Sequence, residues 1–171
     1  FLKSIPNITT HYATMSLPPE HLDVSFNKIT EYSFSLPSAL PLQVLRLRGN
    51  IIQFVASFSV PADARLFEVD LSNTALATLT TNKCFPHRLL LDDNFLKTIT
   101  LEQLSSLRHL SIRNNLITSI TQNTDSAAHN VWDLHGNQIS DSQLIGLSNG
   151  PRTLILSRNF FSTTNMNTAV V

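Results

Sequence analysis

The chain of 171 residues is short of several things: it has one cysteine, four glycines, one tryptophan, and only 14% charged residues. Each scarcity excludes something. With Cys84 alone, no internal disulfide can close and no cysteine zinc site can assemble, so that residue is either a reactive thiol or a small buried apolar side chain. Twelve basic residues balance twelve acidic ones, and a formal charge of zero supplies no long-range field to gather nucleic acid or an anionic membrane. No apolar run approaches the ~18 residues needed to cross a bilayer, which argues against membrane insertion by this segment.

What is present is hydroxyl and hydrocarbon. Serine and threonine number 36, and hydrophobic residues make up 42% of the chain, the opposite of a disordered composition. The length suits one domain, over residues 1–171.

The apolar residues are not spread evenly. Seven segments align: PEHLDVSFNKI (19–29), LQVLRLRGNII (42–52), LFEVDLSNTAL (66–76), PHRLLLDDNFL (86–96), LRHLSIRNNLI (107–117), HNVWDLHGNQI (129–139) and PRTLILSRNFF (151–161). Their ninth positions are separated by 23, 24, 20, 21, 22 and 22 residues, a structural period. Within each segment, alternation such as Leu45 and Leu47, or Leu110 and Ile112, has the two-residue period of a short strand with one face buried. One such strand cannot bury its apolar face alone. Stacked as parallel rungs about 4.8 Å apart, seven of them share one core, with Ile52, Leu76, Leu96, Ile117, Ile139 and Phe161 carrying it around the bend.

The ninth position is Asn27, Asn50, Asn94, Asn115, Asn137 or Asn159, and Thr74 in the third repeat. It falls where the chain leaves the strand and backbone groups lose their ladder partners. An amide side chain offers both a donor and an acceptor, so stacked asparagines can satisfy those groups from coil to coil. Threonine does part of this, and the third repeat is expected to be locally altered.

Together the segments resemble the leucine-rich repeat pattern L-x-x-L-x-L-x-x-N-x-L, over nearly the whole chain. Departures are Thr74, Trp132 at a leucine position, and Pro19, Pro86, His129 and Pro151 at the opening position. The resemblance implies an α/β fold: a curved right-handed horseshoe with a parallel sheet on its concave face and an irregular, in part helical, convex side. The returns at 100–107, with Thr100 as a cap, and at 141–149, capped by Asp141, should be the most helical. Those containing PSALPLQ and VPADARL should be extended or turn-like. FLKSIP reads as the tail of a preceding repeat, and neither end shows a cap, so an internal piece of a longer solenoid is expected.

The second, third, fifth, seventh and eighth positions of each repeat are free of the pattern and should face outward on the concave side. These 35 slots hold 14 of the 24 charged residues and seven of the eight arginines, while all four lysines lie elsewhere. Arginine makes planar bidentate contacts and is enriched at interface hot spots. Candidate partner-binding residues are therefore Phe26, Arg46, Arg48, Asp70, Arg88, Asp92, Arg113, Asp133, His135 and Arg158. Against this stands a solvated face with mutual charge pairing: Asp23, Arg46 and Asp70 align in the fifth position, and Asp92 neighbours Arg113 in the seventh, pairs worth about 0–1 kcal/mol each.

Catalysis finds little support. Asp133 and His135 share a face with Ser111 and Ser157, but residues two apart on a strand are separated by about 6.5 Å, too far for a carboxylate to orient the imidazole. Adjacent Asp92 and Asp93 point in different directions, and no loop of oxygen ligands surrounds them, so no metal or cofactor is expected. Trp132 reads as packing. Asn7-Ile8-Thr9 is a glycosylation acceptor triplet; with the hydroxyl-rich composition it leans toward an extracellular setting or the ectodomain of a membrane protein. The expectation is a protein-recognition module without chemistry of its own, holding a protein or peptide ligand; the alternative is a spacer in a larger, receptor-like protein. Receptor-like kinases often carry this repeat, although nothing in the chain resembles a kinase motif.

Overall fold

A computed structural model describes residues 16–17, 19–30, 32–35, 41–59, 65–81, 86–101, 107–122, 130–141 and 151–162. Cys84, Asn7 and most of both returns expected to be helical lie outside these residues. Among the described residues are twelve strands, β1 to β12 in chain order. Seven form one parallel sheet: β1 (His21–Asp23), β3 (Val44–Arg46), β5 (Glu68–Asp70), β7 (Arg88–Leu90), β9 (His109–Ser111), β11 (Val131–Asp133) and β12 (Thr153–Ile155), each beside the strand of the next repeat. The chain is a parallel-strand β-solenoid.

Register follows the repeat without slippage. Leu22, Leu45, Val69, Leu89, Leu110, Trp132 and Leu154 are aligned across the sheet as the central residue of each strand. A one-residue slip would turn this row out to water, which fixes the pairing. Two further rows, Leu47 to Leu134 at the sixth position and Ile29 to Ile139 at the eleventh, are almost fully buried and complete the shared core. Each buried aliphatic side chain is worth about 1.5–3 kcal/mol. Leu22, Val24, Leu154, Leu156 and Phe161, in the first and last coils, are only partly covered.

The return side differs from the expected α/β arrangement. Where it is described it carries strands: β2 (Tyr32–Ser35), β4 (Phe54–Ser59) and β6 (Thr78–Thr81) form one parallel sheet, and β8 (Thr98–Leu101) pairs with β10 (Ser119–Gln122) in another. Thr100, expected to cap a helix, lies within β8. The reason is alternation: in TLT, TIT and SIT the central Leu79, Ile99 and Ile120 pack on the core while Thr78, Thr98 and Thr100 face water, and β-branched residues suit such half-buried strands.

The asparagine row joins the coils. Asn94 illustrates the pattern: its side-chain oxygen accepts from the Leu76 amide of the preceding coil at 2.9 Å, and its Nδ2 donates to the carbonyls of Leu71 and Leu91 at 2.8 and 3.0 Å. Asn50, Asn115, Asn137 and Asn159 accept likewise from Ile29, Leu96, Ile117 and Ile139. Thr74 retains only its own turn, donating from Oγ1 to Leu71 O at 2.8 Å, and leans on Asn94 Oδ1 at 3.1 Å. In other coils the tenth-position amide bonds the eleventh-position carbonyl of the coil before it, as Phe95 does to Leu76. Among the described residues no such bond joins Ala75 to Ile52, and Ala75 adopts φ +64°. The expected local alteration is present, and it sits between the second and third coils.

Asn94→Ala would strand several buried groups at about 1–3 kcal/mol each. It should lower the thermal midpoint by roughly 5 °C or more at about 2–4 °C per kcal/mol. Thr74→Asn should raise the midpoint by supplying the missing bonds to Leu47 O and Ile52 N. A melt in which the two substitutions act alike would contradict this account of the row.

Candidate binding face

The outward positions of the seven-stranded sheet form rows. The third-position row is His21, Val44, Glu68, Arg88, His109, Val131 and Thr153; the fifth is Asp23, Arg46, Asp70, Leu90, Ser111, Asp133 and Ile155. The seventh residues, Ser25 to Ser157, follow just beyond the strands. Arg46, Arg48, Arg88, Arg108, Arg113, Arg152 and Arg158 are all exposed, while Lys28 and Lys97 lie off this face.

The acids behave otherwise. Asp70, expected to face outward, is buried, as are Glu68 and Ser111, because flanking side chains close over the middle of a short-stranded sheet. Asp92, Asp133 and His135 are half-buried. The expected pairings also shift. Arg46 aligns with Asp23 and Asp70 but donates from Nε and Nη2 to Glu68 Oε1 at 3.1 and 3.0 Å, and Arg88 approaches Glu68 Oε2 at 3.6 Å. The Glu68 side chain is only 9% exposed, between two arginine side chains that are each 46% exposed. The Arg113 guanidinium goes to Asp133 at 3.4 Å, and what Asp92 takes from residue 113 is its backbone amide, at 2.8 Å.

Glu68, central to this cluster, was not among the candidates. The signal for it was the diagonal: third and fifth positions share a face, so a long side chain reaches the neighbouring row.

The aspartates have a backbone task. Asp23, Asp70 and Asp133 each accept, through Oδ1, from the amide two residues on, that of Ser25, Ser72 and His135. These are amides at the end of the strand, where a short polar side chain replaces a ladder acceptor. Asp92 also accepts from Ser111 Oγ at 2.6 Å, and Asp93 from Asn114 Nδ2 at 2.9 Å.

The eighth position, expected to be an open choice, is a conformational requirement. Phe26, Gly49, Asn73, Asp93, Asn114, Gly136 and Arg158 all have positive φ, between 52° and 70°. Gly, Asn and Asp tolerate this region; for other residues it costs about 1–2 kcal/mol. Phe26 and Arg158, in the first and last coils, are the two bulky side chains held there. Phe26 is 67% exposed, and its ring lies against Gly49, where an added Cβ would come within 2.5 Å of it.

His135 Nδ1 and Ser157 Oγ are 2.7 Å apart, but the Asp133 carboxylate is used by the His135 backbone amide and by Arg113 and does not orient this imidazole. Among the described residues no three His, Cys, Asp or Glu side chains come together to hold a metal ion, and no helix is long and apolar enough to cross a membrane. Trp132 is fully buried in the core, with its Nε1 and the Nδ2 of Asn130 lacking hydrogen-bond partners. On the leading rim, Phe67 and His87 stack at 5.7 Å.

Burial pushes the His109 imidazole below its ordinary value of 6.5; Arg88 adds to this, and Asp133 and Asp92 oppose it. Hydrogen bonds from the Ser25 hydroxyl and amide hold Asp23 below its ordinary 3.8.

Neither a family model nor a curated protein matches the chain.

Gly49→Ala should destabilise the fold by about 2 kcal/mol or more, combining the left-handed φ with the clash on Phe26. In a double-mutant cycle, Phe26→Ala should recover the steric part and leave the backbone part. His109 binds fewer protons folded than unfolded between its two pKa values. Its contribution to stability is therefore complete above pH 6.5 and is lost as the pH falls from there through the folded pKa. The Asp23 contribution is complete above 3.8 and is lost at lower pH still. Melts from about pH 7 to about pH 5 should fall less steeply for His109→Gln than for the wild type.

Proposed function

We propose that this solenoid is a recognition module of the leucine-rich repeat kind, with the seven-stranded sheet as the concave, ligand-holding face of a curved horseshoe. The carrying observation is that the positions free of the repeat pattern lie side by side on one face with every arginine exposed. A core built from the patterned positions does not depend on the exposed arginines of this face, and exposed arginine is suited to protein contacts. Strands on the return side depart from the α/β form of the repeat and belong to sheets separate from the seven-stranded one. The ligand is a protein or peptide, and the module supplies binding without chemistry.

A spacer is the second reading, and the inward engagement of the aspartates favours it, since a face that satisfies its own charges needs no partner. Pull-down separates the two. The Arg46→Ala, Arg48→Ala, Arg113→Ala variant should lose partners that the wild type retains. Because Arg46 and Arg113 have internal partners, it is run beside Arg48→Ala, Arg158→Ala, whose side chains make no ion pair among the described residues. Identical partner lists for all three proteins, with unchanged melts, would establish the spacer.

A further inference from the structure

Formal neutrality conceals an asymmetry. The outward positions carry seven arginines and seven acids, Glu20, Asp23, Glu68, Asp70, Asp92, Asp93 and Asp133. Every one of those acids already accepts a hydrogen bond from within the chain, Glu20 from Gln43 Nε2 at 3.1 Å and the others as described above. Four of them are also buried or half-buried, and the three exposed ones lie at the margins, Glu20 and Asp23 in the first coil and Asp93 at an eighth position. All seven arginines are exposed, and Arg48, Arg108, Arg152 and Arg158 make no ion pair or side-chain hydrogen bond among the described residues. A guanidinium has five N–H donors and no acceptor. From the second coil to the last, the exposed Asp93 apart, the face therefore presents unspent donors above anions that are turned inward.

We propose that the ligand of this face is an acid-rich, extended polypeptide whose carboxylates take up the guanidiniums of Arg48, Arg108, Arg152 and Arg158. The inference rests on the reading of the sheet as a binding face and adds the chemistry of its occupant. A polypeptide fits better than nucleic acid or an anionic membrane for two reasons. Nucleic acid and anionic membranes are dense phosphate arrays whose binding is dominated by long-range charge, which a chain of zero net charge does not supply, whereas separate carboxylates are held by short-range bidentate contacts to guanidiniums. The free arginines are also set apart, with the half-buried Leu90 and Val131 and the exposed Ile155 between them, which matches discrete carboxylates among apolar side chains. Arg48 and Arg152 are five strand steps apart, roughly 24 Å at ~4.8 Å per step, and are offset by five repeat positions, ~16 Å, along the strands, a diagonal span of about nine extended residues.

The test uses the whole chain and a fluorescein-labelled peptide of about twelve residues, alternating glutamate and serine, followed by anisotropy; its length exceeds that span. Comparators are a lysine–serine peptide and a single-stranded DNA of equal length. The glutamate peptide should bind and weaken as salt rises, while the lysine peptide should not bind. Arg48→Gln, Arg108→Gln, Arg152→Gln should bind it roughly tenfold more weakly with an unchanged melt, and Lys97→Gln should bind it as the wild type does. No binding of the glutamate peptide, undiminished binding by the triple variant, or tighter binding of the DNA would overturn the proposal. Partners lost by the Arg48→Ala, Arg158→Ala variant that the lysine peptide displaces and the glutamate peptide does not would leave the face a binding surface and overturn its preference for acids. Partner lists insensitive to that variant would remove the face itself.

Discussion

A side-chain amide that hydrogen-bonds to two successive coils is the contact on which this structure depends. Where each strand ends, the chain must turn inward, and backbone groups that had ladder partners enter a space without water. Leaving each one unpaired costs about 1–3 kcal/mol, comparable to burying a leucine. Asn94, Asn115, Asn137 and Asn159 resolve this with one residue per coil, accepting from the amide of the coil before and donating to carbonyls of both coils. A turn solved in this way can be repeated, and the leucine rows then close over a core that no single coil possesses.

This explains which parts of the fold were legible in the sequence. Leu45, Leu110 and Trp132 could be placed inside because the strand period and the repeat period agree at those positions. Thr74 announced its own irregularity, since a hydroxyl cannot do what an amide does. Strands β6, β8 and β10 were harder to see. Thr98, Ile99 and Thr100 alternate over only three residues, and a threonine followed by Leu101 and Leu104 reads equally well as a helix start. The recurrence of such triplets at 78, 98 and 119 was the information that could have decided it. The left-handed eighth position was masked for a related reason. Glycine, asparagine and aspartate mark it in five coils, but Phe26 and Arg158 look like free surface choices.

The face was legible as a collection of residues and less so as an arrangement. Placing the arginines outside was straightforward, because a long cationic side chain seldom does otherwise. The aspartates follow local chemistry that a repeat alignment does not show: Asp70 and Asp133 sit two residues before an amide in need of an acceptor and turn toward it. Pairing by row missed Glu68, since long side chains bridge diagonally between third and fifth positions. The electrostatic character of the surface thus arises from which charges the backbone claims, and a count of charged residues cannot register that.

Coil-to-coil bonding makes a molecule whose cooperativity runs along one axis, each coil held only by its neighbours. In such a stack the weakest junction sets the behaviour of the whole. Between the second and third coils the amide bridge is replaced by Thr74, and the Ala75 backbone does not reach across. Arg46 and Glu68, which pair across that same junction, act there as a clasp on the outer surface. The β4–β6 ladder crosses the same junction on the return side, whereas among the described residues no ladder joins β6 to β8, so the seam at Thr74 is braced on both faces where its centre is thin.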